Sequence, residues 1–312
     1  MLARTADSLY WMNRYMERVD VILRTLRNGF IASYDINTLE IFSWDAILNI
    51  FSSLPEDRLK EIAKDPNDVL VLLAKEDEDN SLVELVTRAR ENARGAQDFL
   101  TKEVWESINQ MYHSIQNLDA GALISSGTQM DFLVSQINES LVYYGVFENT
   151  MPRGQGWNFM NLGRFIERCI QTLNFADIKY RDLDYSSGES NHILYWKNML
   201  LNLSGYELYL KTYRSGNHAE NVIDMVFFNK DFPRSILYTL NKVQFYLLNI
   251  LRDNDNINNP LIRRKAGMLH AKIAYGDLES MEQKGVSNFI AELKTDLFEL
   301  TQLIGQSFFS YY

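Results

Sequence analysis

One cysteine in 312 residues, Cys169, leaves nothing from which to build an internal disulfide or a thiolate metal cluster. Five prolines and fifteen glycines are too few for a fold made of tight turns, which favours long helices with short connections over sandwiches and barrels. No apolar run approaches the ~18 residues that a membrane-spanning helix needs. The longest aliphatic stretch is VLVLLA at 69–74, a core helix turn. The N-terminus lacks a leader pattern, since Asp7 and Glu17 interrupt it and no uncharged apolar segment follows a basic start. Positive charge is in deficit as well. The formal net charge is -10, and such a field repels nucleic acid phosphates and anionic bilayers. These absences predict a cytoplasmic chain in a reducing compartment, with no nucleic acid and no membrane as partner.

What is abundant is core material, 46% hydrophobic residues, enough for one large domain or two ordinary ones. Its spacing is helical. Leu9, Met12, Met16, Val19, Leu23 and Leu26 form one stripe of a first helix that starts after Thr5 as N-cap and stops at Gly29. Further helices are expected near 38–53, 57–64, 68–76, 81–98, 102–117, 129–149, 158–180, 192–213, 218–228, 234–252, 259–275 and 285–309. Polar loops are expected at 182–191 and 253–258. The segment MPRGQGW at 151–157 reads as a midpoint connection.

The chain also repeats itself. Arg14-Tyr15-Met16-Glu17-Arg18 returns as Arg164-Phe165-Ile166-Glu167-Arg168, at an offset of 150. Leu9, Met12, Met16, Val19 and Leu23 map at that offset onto Phe159, Leu162, Ile166, Cys169 and Leu173. Trp44 with Leu48 matches Trp196 with Leu200 at 152, Asn80-Ser81-Leu82 matches Arg234-Ser235-Ile236 at 154, and Phe132-Leu133 matches Phe289-Ile290 at 157. Offsets that only rise are those of two related halves separated by small insertions. The expected fold is an all-α bundle of roughly ten to thirteen helices, built as one domain from two pseudo-symmetric halves near 1–153 and 154–312, with each motif helix toward the middle.

On a helix, Arg14, Glu17 and Arg18 fall within an arc of roughly 100°. Apolar neighbours surround that arc, and Arg164, Glu167 and Arg168 repeat it. Burying such charges costs several kcal/mol each unless they are paired. Two readings stay open: a structural Arg–Glu network holding the halves in register, or a pocket whose paired arginines take a carboxylate or phosphate bidentately. A second charged segment runs from Arg88 to Arg94, with Arg90, Glu91, Asn92 and Arg94 as its core. Glu103 and Glu106 of the next helix are the expected carboxylates for those arginines. His113, His192, His218 and His270 are scattered without metal spacing, no Glu-x-x-His pair occurs, and phosphate-loop and dinucleotide motifs are missing. No metal and no cofactor is expected. Cys169 and Trp44, Trp105, Trp157 and Trp196 read as packing.

With those residues in view, the chain resembles the alpha-E family, a bacterial helical family of unknown function named for its Glu-Arg motif. The matching segments are Leu9-Tyr10-Trp11-Met12, Arg14-Tyr15 and Glu17-Arg18; Ala89 to Arg94; Trp105 with Ile108-Asn109; Gly156-Trp157, Leu162-Gly163-Arg164 and Glu167-Arg168; and Phe232-Pro233-Arg234-Ser235. Asn13 departs from the pattern where the second copy has Gly163, and Cys169 replaces a small residue. The resemblance implies the company of circularly permuted ATP-grasp ligases, transglutaminase-like proteins and a proteasome-related peptidase. On that basis the expected role is a non-catalytic accessory of a peptide or amide ligase, binding the ligase or a peptide or carboxylate ligand. An enzyme using Glu17 or Glu167 as general base competes with it, although arginines beside a carboxylate lower its pKa and make it a poor base. An oligomerising scaffold is the third reading.

Overall fold

The computed structural model describes residues 1–34, 43–76, 78–181, 193–214, 216–254 and 260–309. Among these residues every regular element is helical, and there are sixteen α-helices. Two compact units emerge, one of Trp11–Pro152 and one of Met1–Tyr10 with Arg153–Tyr312, so the first ten residues group with the later half. No helix among the described residues is long and apolar enough to cross a membrane.

The first helix, α1, runs from Ala3 to Tyr34, starting before Thr5 and passing straight through Gly29. Gly29 does not end it. A Cβ on Gly29 would sit 2.1 Å from the Trp44 ring, so the glycine is there to let an indole lie against the helix backbone. The indole Nε1 donates to Ser33 Oγ one turn further on, at 3.3 Å.

The Trp11–Pro152 unit continues with α2 (Trp44–Phe51), α3 (Glu56–Ile62), α4 (Pro66–Lys75), α5 (Leu82–Gly95), α6 (Lys102–Gln116), α7 (Ala120–Ser126) and α8 (Gln129–Thr150). Residues 38–42 of the expected second helix lie outside the described residues. Side-chain caps set the starts of these helices by satisfying otherwise orphaned backbone N–H groups. Asp65 accepts from Asn67 N at 2.8 Å ahead of Pro66, Ser81 from Glu84 N at 3.3 Å, and Asp119 from Ala122 N at 2.9 Å. Helices α4, α5, α6 and α8 pack in sequence, and α2, α3 and α7 lean on α4. Val104, Ile108, Met111 and Ile115 are the buried stripe of α6, each worth about 1.5–3 kcal/mol for a large apolar side chain.

In the other unit, α9 (Gln155–Arg181) is the central helix, followed by α10 (Ile193–Asn202), α11 (Tyr206–Thr212), α12 (His218–Ile223), α13 (Ile236–Arg252), α14 (Pro260–Ala274), α15 (Leu278–Lys284) and α16 (Val286–Ile304). Helix α9 packs on α13 and α16, with α14 between the latter two. Single π turns extend α12 over 224–228 and α16 over 305–309. The Gly154-Gln155-Gly156 turn is shorter than expected, because α9 already begins at Gln155.

Three short segments raise the helix number above thirteen. Helix α7 follows the Asp119 cap, and α15 follows a capping box of Asp277 and Ser280. The expected helix over 192–213 breaks in two at Ser204, which adopts φ 56°, and Gly205, where a Cβ would lie 2.7 Å from Phe232. The loop expected at 182–191 and residues 255–258 lie outside the described residues, as does His192.

Candidate functional site

Each Arg–Glu triplet sits in a long helix that is buried nearly all round, α1 and α9. Long helices of low hydropathy rarely sit inside a protein, and the polar residues here need partners. In the Trp11–Pro152 unit, Glu17 is 0% exposed and Arg14 is buried, while Arg18 is partly exposed. One face of α8 serves Glu17 and the buried polar residues a turn either side of it, Asn13 and Asp20. Tyr144 Oη donates to Glu17 Oε2 at 2.9 Å, Tyr143 Oη donates to Asn13 Oδ1, and Ser140 Oγ donates to Asp20 Oδ1 at 3.1 Å. Residues 140, 143 and 144 are neighbours on a helix face, so one stripe of α8 hydroxyls serves one stripe of α1.

The two arginines of this copy point to different partners. Arg14 lies 4.3 Å over the Trp11 ring, and Trp11 stacks on Tyr15. Arg18 Nη1 donates to Asn80 Oδ1 at 2.7 Å, and Asn80 Nδ2 donates to Phe51 O at 2.8 Å, so the motif pins the turn ahead of α5. One turn along, Asp20 is buried and holds Arg24 Nε at 2.9 Å.

In the other unit, Glu167 is again 0% exposed, but here Arg168 is buried and Arg164 partly exposed. Gln171 Nε2, one turn on, donates to Glu167 Oε1 at 2.8 Å. Both arginines lie over the Phe165 ring, Arg164 at 5.5 Å and Arg168 at 5.3 Å, and Phe165 stacks on Tyr246. Thr172 Oγ1 donates to the Arg234 carbonyl at 2.9 Å, tying α9 to the start of α13. Further down α9, Asp177 is buried between Arg181 and Lys294, each at 2.8 Å.

The second charged segment is assembled differently from the expectation. Arg90 Nε donates to Asn109 Oδ1 at 2.7 Å, and its guanidinium lies 4.7 Å from the Tyr112 ring and 5.8 Å from that of Trp105. Helix α6 thus offers Arg90 an amide and aromatic faces, not the carboxylates of Glu103 and Glu106. Glu106 pairs with Lys102 in its own helix, at 3.4 Å. Arg94 pairs with Glu91 at 2.9 Å on the exposed side, and Asn92 Nδ2 donates to the Arg88 carbonyl. Arg88 itself holds Glu84 at 2.5 Å and Asp79 at 2.7 Å.

Elsewhere, burial pushes the Cys169 thiol up to about 12, so it stays protonated at any working pH. No group of three or more His, Cys, Asp or Glu suited to a metal ion occurs among the described residues. A surface groove of about 660 Å³ runs along α14, α15 and α16. Its charges satisfy one another: Lys272 meets Glu292 and Asp296, and Lys284 meets Glu292. The α8 hydroxyls and Gln171 were the residues that sequence reasoning overlooked. Their only signal was spacing, three and four residues apart for Ser140, Tyr143 and Tyr144, and four from Glu167 for Gln171.

Comparison with known proteins bears on the motif. A family model described as "A predicted alpha-helical domain with a conserved ER motif" matches residues 1–309. Uncharacterized proteins of Mycobacterium bovis and Mycobacterium tuberculosis are 21% identical over 93% of this chain. The match covers only 34% of those relatives, so the chain spans about a third of their length. No solved structure gives a significant match.

Proposed function

The chain belongs to the Alpha-E family, and on that premise we propose that it is a non-catalytic accessory module working beside a peptide- or amide-forming ligase of the ATP-grasp kind. The observation that carries this reading is length. In the mycobacterial relatives the matched stretch is about a third of a longer chain, so there the module is covalently joined to other polypeptide. A module joined to further polypeptide commonly serves that neighbour. The ligase class itself comes from the company that the family resemblance implies.

The Arg–Glu triplets fit a structural network in this proposal. Both glutamates are fully enclosed, and Tyr144 and Gln171 occupy one oxygen of each, so neither meets a substrate without local opening. Replacing Glu17 by Gln is then expected to lower stability in step with any loss of function. A variant that keeps its unfolding midpoint yet abolishes activity would instead favour an anion pocket or an active site at the motif.

We further propose that the chain arose by duplication, with halves near 1–153 and 154–312. Buried positions support it. Val69, Leu70, Leu72, Leu73 and Ala74 recur 153 residues later as Val222, Ile223, Met225, Val226 and Phe227. Val104, Ile108, Met111 and Ile115 recur 158 later as Ile262, Ala266, Leu269 and Ile273, one more than the 157 of Phe132-Leu133, so the offset rises along most of the chain and then falls by one residue. Ser81 and Ser235, 154 apart, cap α5 and α13 in the same way.

Co-expression with an ATP-grasp ligase of the same organism tests the main reading. The two proteins are expected to co-elute, and the ligase's product profile to change with this chain present. Failure to associate, together with unchanged ligase turnover, overturns it.

A further inference from the structure

The register shared by the two halves provides an internal control on the surface. Helices α5 and α6 form one hairpin, α13 and α14 another, and under the proposed duplication they correspond at offsets of 154 and 158. Buried positions are apolar in both, as packing requires. The outward positions differ. On α5 and α6 they are Glu91, Arg94, Glu106, Gln110 and Asn117, all exposed and all polar. The same registers of α13 and α14 hold Phe245, Leu248, Arg264, Met268 and Tyr275, also all exposed.

A shared scaffold therefore tolerates a wholly polar outer face, and the apolar one is not required for folding. Phe245 is 57% exposed, Met268 59% and Tyr275 88%. On each helix the residues fall on one stripe. Asn241, Phe245 and Leu248 follow a four- and three-residue spacing on α13, as do Arg264, Met268, Ala271 and Tyr275 on α14. Asn241 meets His270 of α14 at 2.6 Å, so the α13 stripe borders α14. Exposed apolar side chains gathered this way cost solubility and mark contact surfaces.

The charge beside the stripe says what covers it. Arg263 and Arg264 are exposed at the start of α14, and Arg264 stands where the other hairpin has Glu106. This is a reversal of sign on a chain whose net charge is -10. A second copy meeting this face with its own would set Arg263 and Arg264 against the same two arginines, and is poorly matched. We propose that the outer face of α13 and α14 docks an acidic amphipathic helix of the partner protein, its apolar side on Phe245, Leu248 and Met268 and its carboxylates on Arg263 and Arg264. This rests on the duplication and accessory-module readings above and gives the latter its contact surface.

The test uses the full chain and a labelled synthetic peptide of about 18 residues, an amphipathic helix with leucines on one side and glutamates on its flanks. Controls are the same peptide with lysine for every glutamate, and the variant Phe245→Glu/Met268→Gln, which installs the residues of the first hairpin. Fluorescence anisotropy is expected to show binding of the acidic peptide that weakens with salt, at least about tenfold loss in the variant, and at least about tenfold loss with the lysine peptide. Thermal melts of variant and parent should coincide, since both side chains are exposed. Equal binding by parent and variant, or no binding by either, overturns the proposal. So does a dimer of the parent in sedimentation that the same substitutions disperse, because the occupant is then a second copy. If a ligase co-elutes with parent and variant alike, the accessory reading stands and this surface falls. If the peptide binds as expected but no ligase associates, the reverse holds.

Discussion

Tyr144 and Gln171 stand in the same relation to Glu17 and Glu167, each a neutral donor to a fully enclosed carboxylate. Removing one such donor leaves a buried acceptor short of a hydrogen bond, at a cost of about 1–3 kcal/mol. Tyr144→Phe is therefore expected to lower the unfolding free energy by that amount, seen as a lower urea midpoint, and an unchanged midpoint would show that the phenol is dispensable. Glu139 on α8 behaves in the opposite sense. Burial raises its pKa, against hydrogen bonds from Gln110 and Gln136 that lower it, and its Oε2 is enclosed without a hydrogen-bond partner. The folded chain then binds this proton more tightly than the unfolded one. Its stabilising contribution is complete below the ordinary carboxylate pKa and is lost as pH rises through the raised folded value. Partial exposure damps the effect. Glu139→Gln should gain stability relative to the parent at pH 7 more than at pH 4, as read from urea midpoints. Identical differences at the two pH values would contradict it.

Among the helices, Gly29 puts two opposing effects on one position. Alanine is intrinsically the better helix former, by about 1 kcal/mol. Its Cβ would also collide with the Trp44 ring, and overpacking of that kind costs about 1–3 kcal/mol. Gly29→Ala is expected to lower the melting temperature, because the added methyl would displace a buried indole that packs directly on the helix backbone. A higher melting temperature would mean that propensity wins. The same position shows where sequence reading stops. Stripes such as Leu9, Met12, Met16 and Val19 announced long helices, and charged motifs announced which helices matter. A glycine near an expected helix end, however, looks alike whether it stops the helix or admits a tryptophan. Helices α7 and α15, of seven residues each, are too short to show a full stripe. Their caps, Asp119 and Asp277, were the legible trace. The break at Ser204–Gly205 depends on Phe232, far along the chain, which no local pattern records. For the motif, composition told that Arg and Glu needed partners; the Phe165 ring and Gln171 are within a turn on the same helix, whereas Tyr144 and Asn80 reach Glu17 and Arg18 through tertiary packing.

Across the entire chain, charge is the property that governs encounters. With a net charge of -10, the protein is expected to pass unretained over immobilised duplex DNA at physiological salt, Arg263 and Arg264 notwithstanding, since two exposed cations release few counterions. Salt-sensitive retention would reveal a basic surface larger than the described residues present. The ladder of Lys265, Lys272 and Lys284 with Asp296, Glu299 and Glu292 locks α14 and α15 to α16 by charges that neutralise one another locally, so it adds little to the outer field.

Cys169 has one more consequence. Its thiol is enclosed and protonated, and no second cysteine exists in the chain. A maleimide dye or nitroxide offered to the native protein would find no reactive sulfur. A cysteine engineered at Tyr275 would thus be labelled alone, giving a reporter on the rim of α14 without any background to remove.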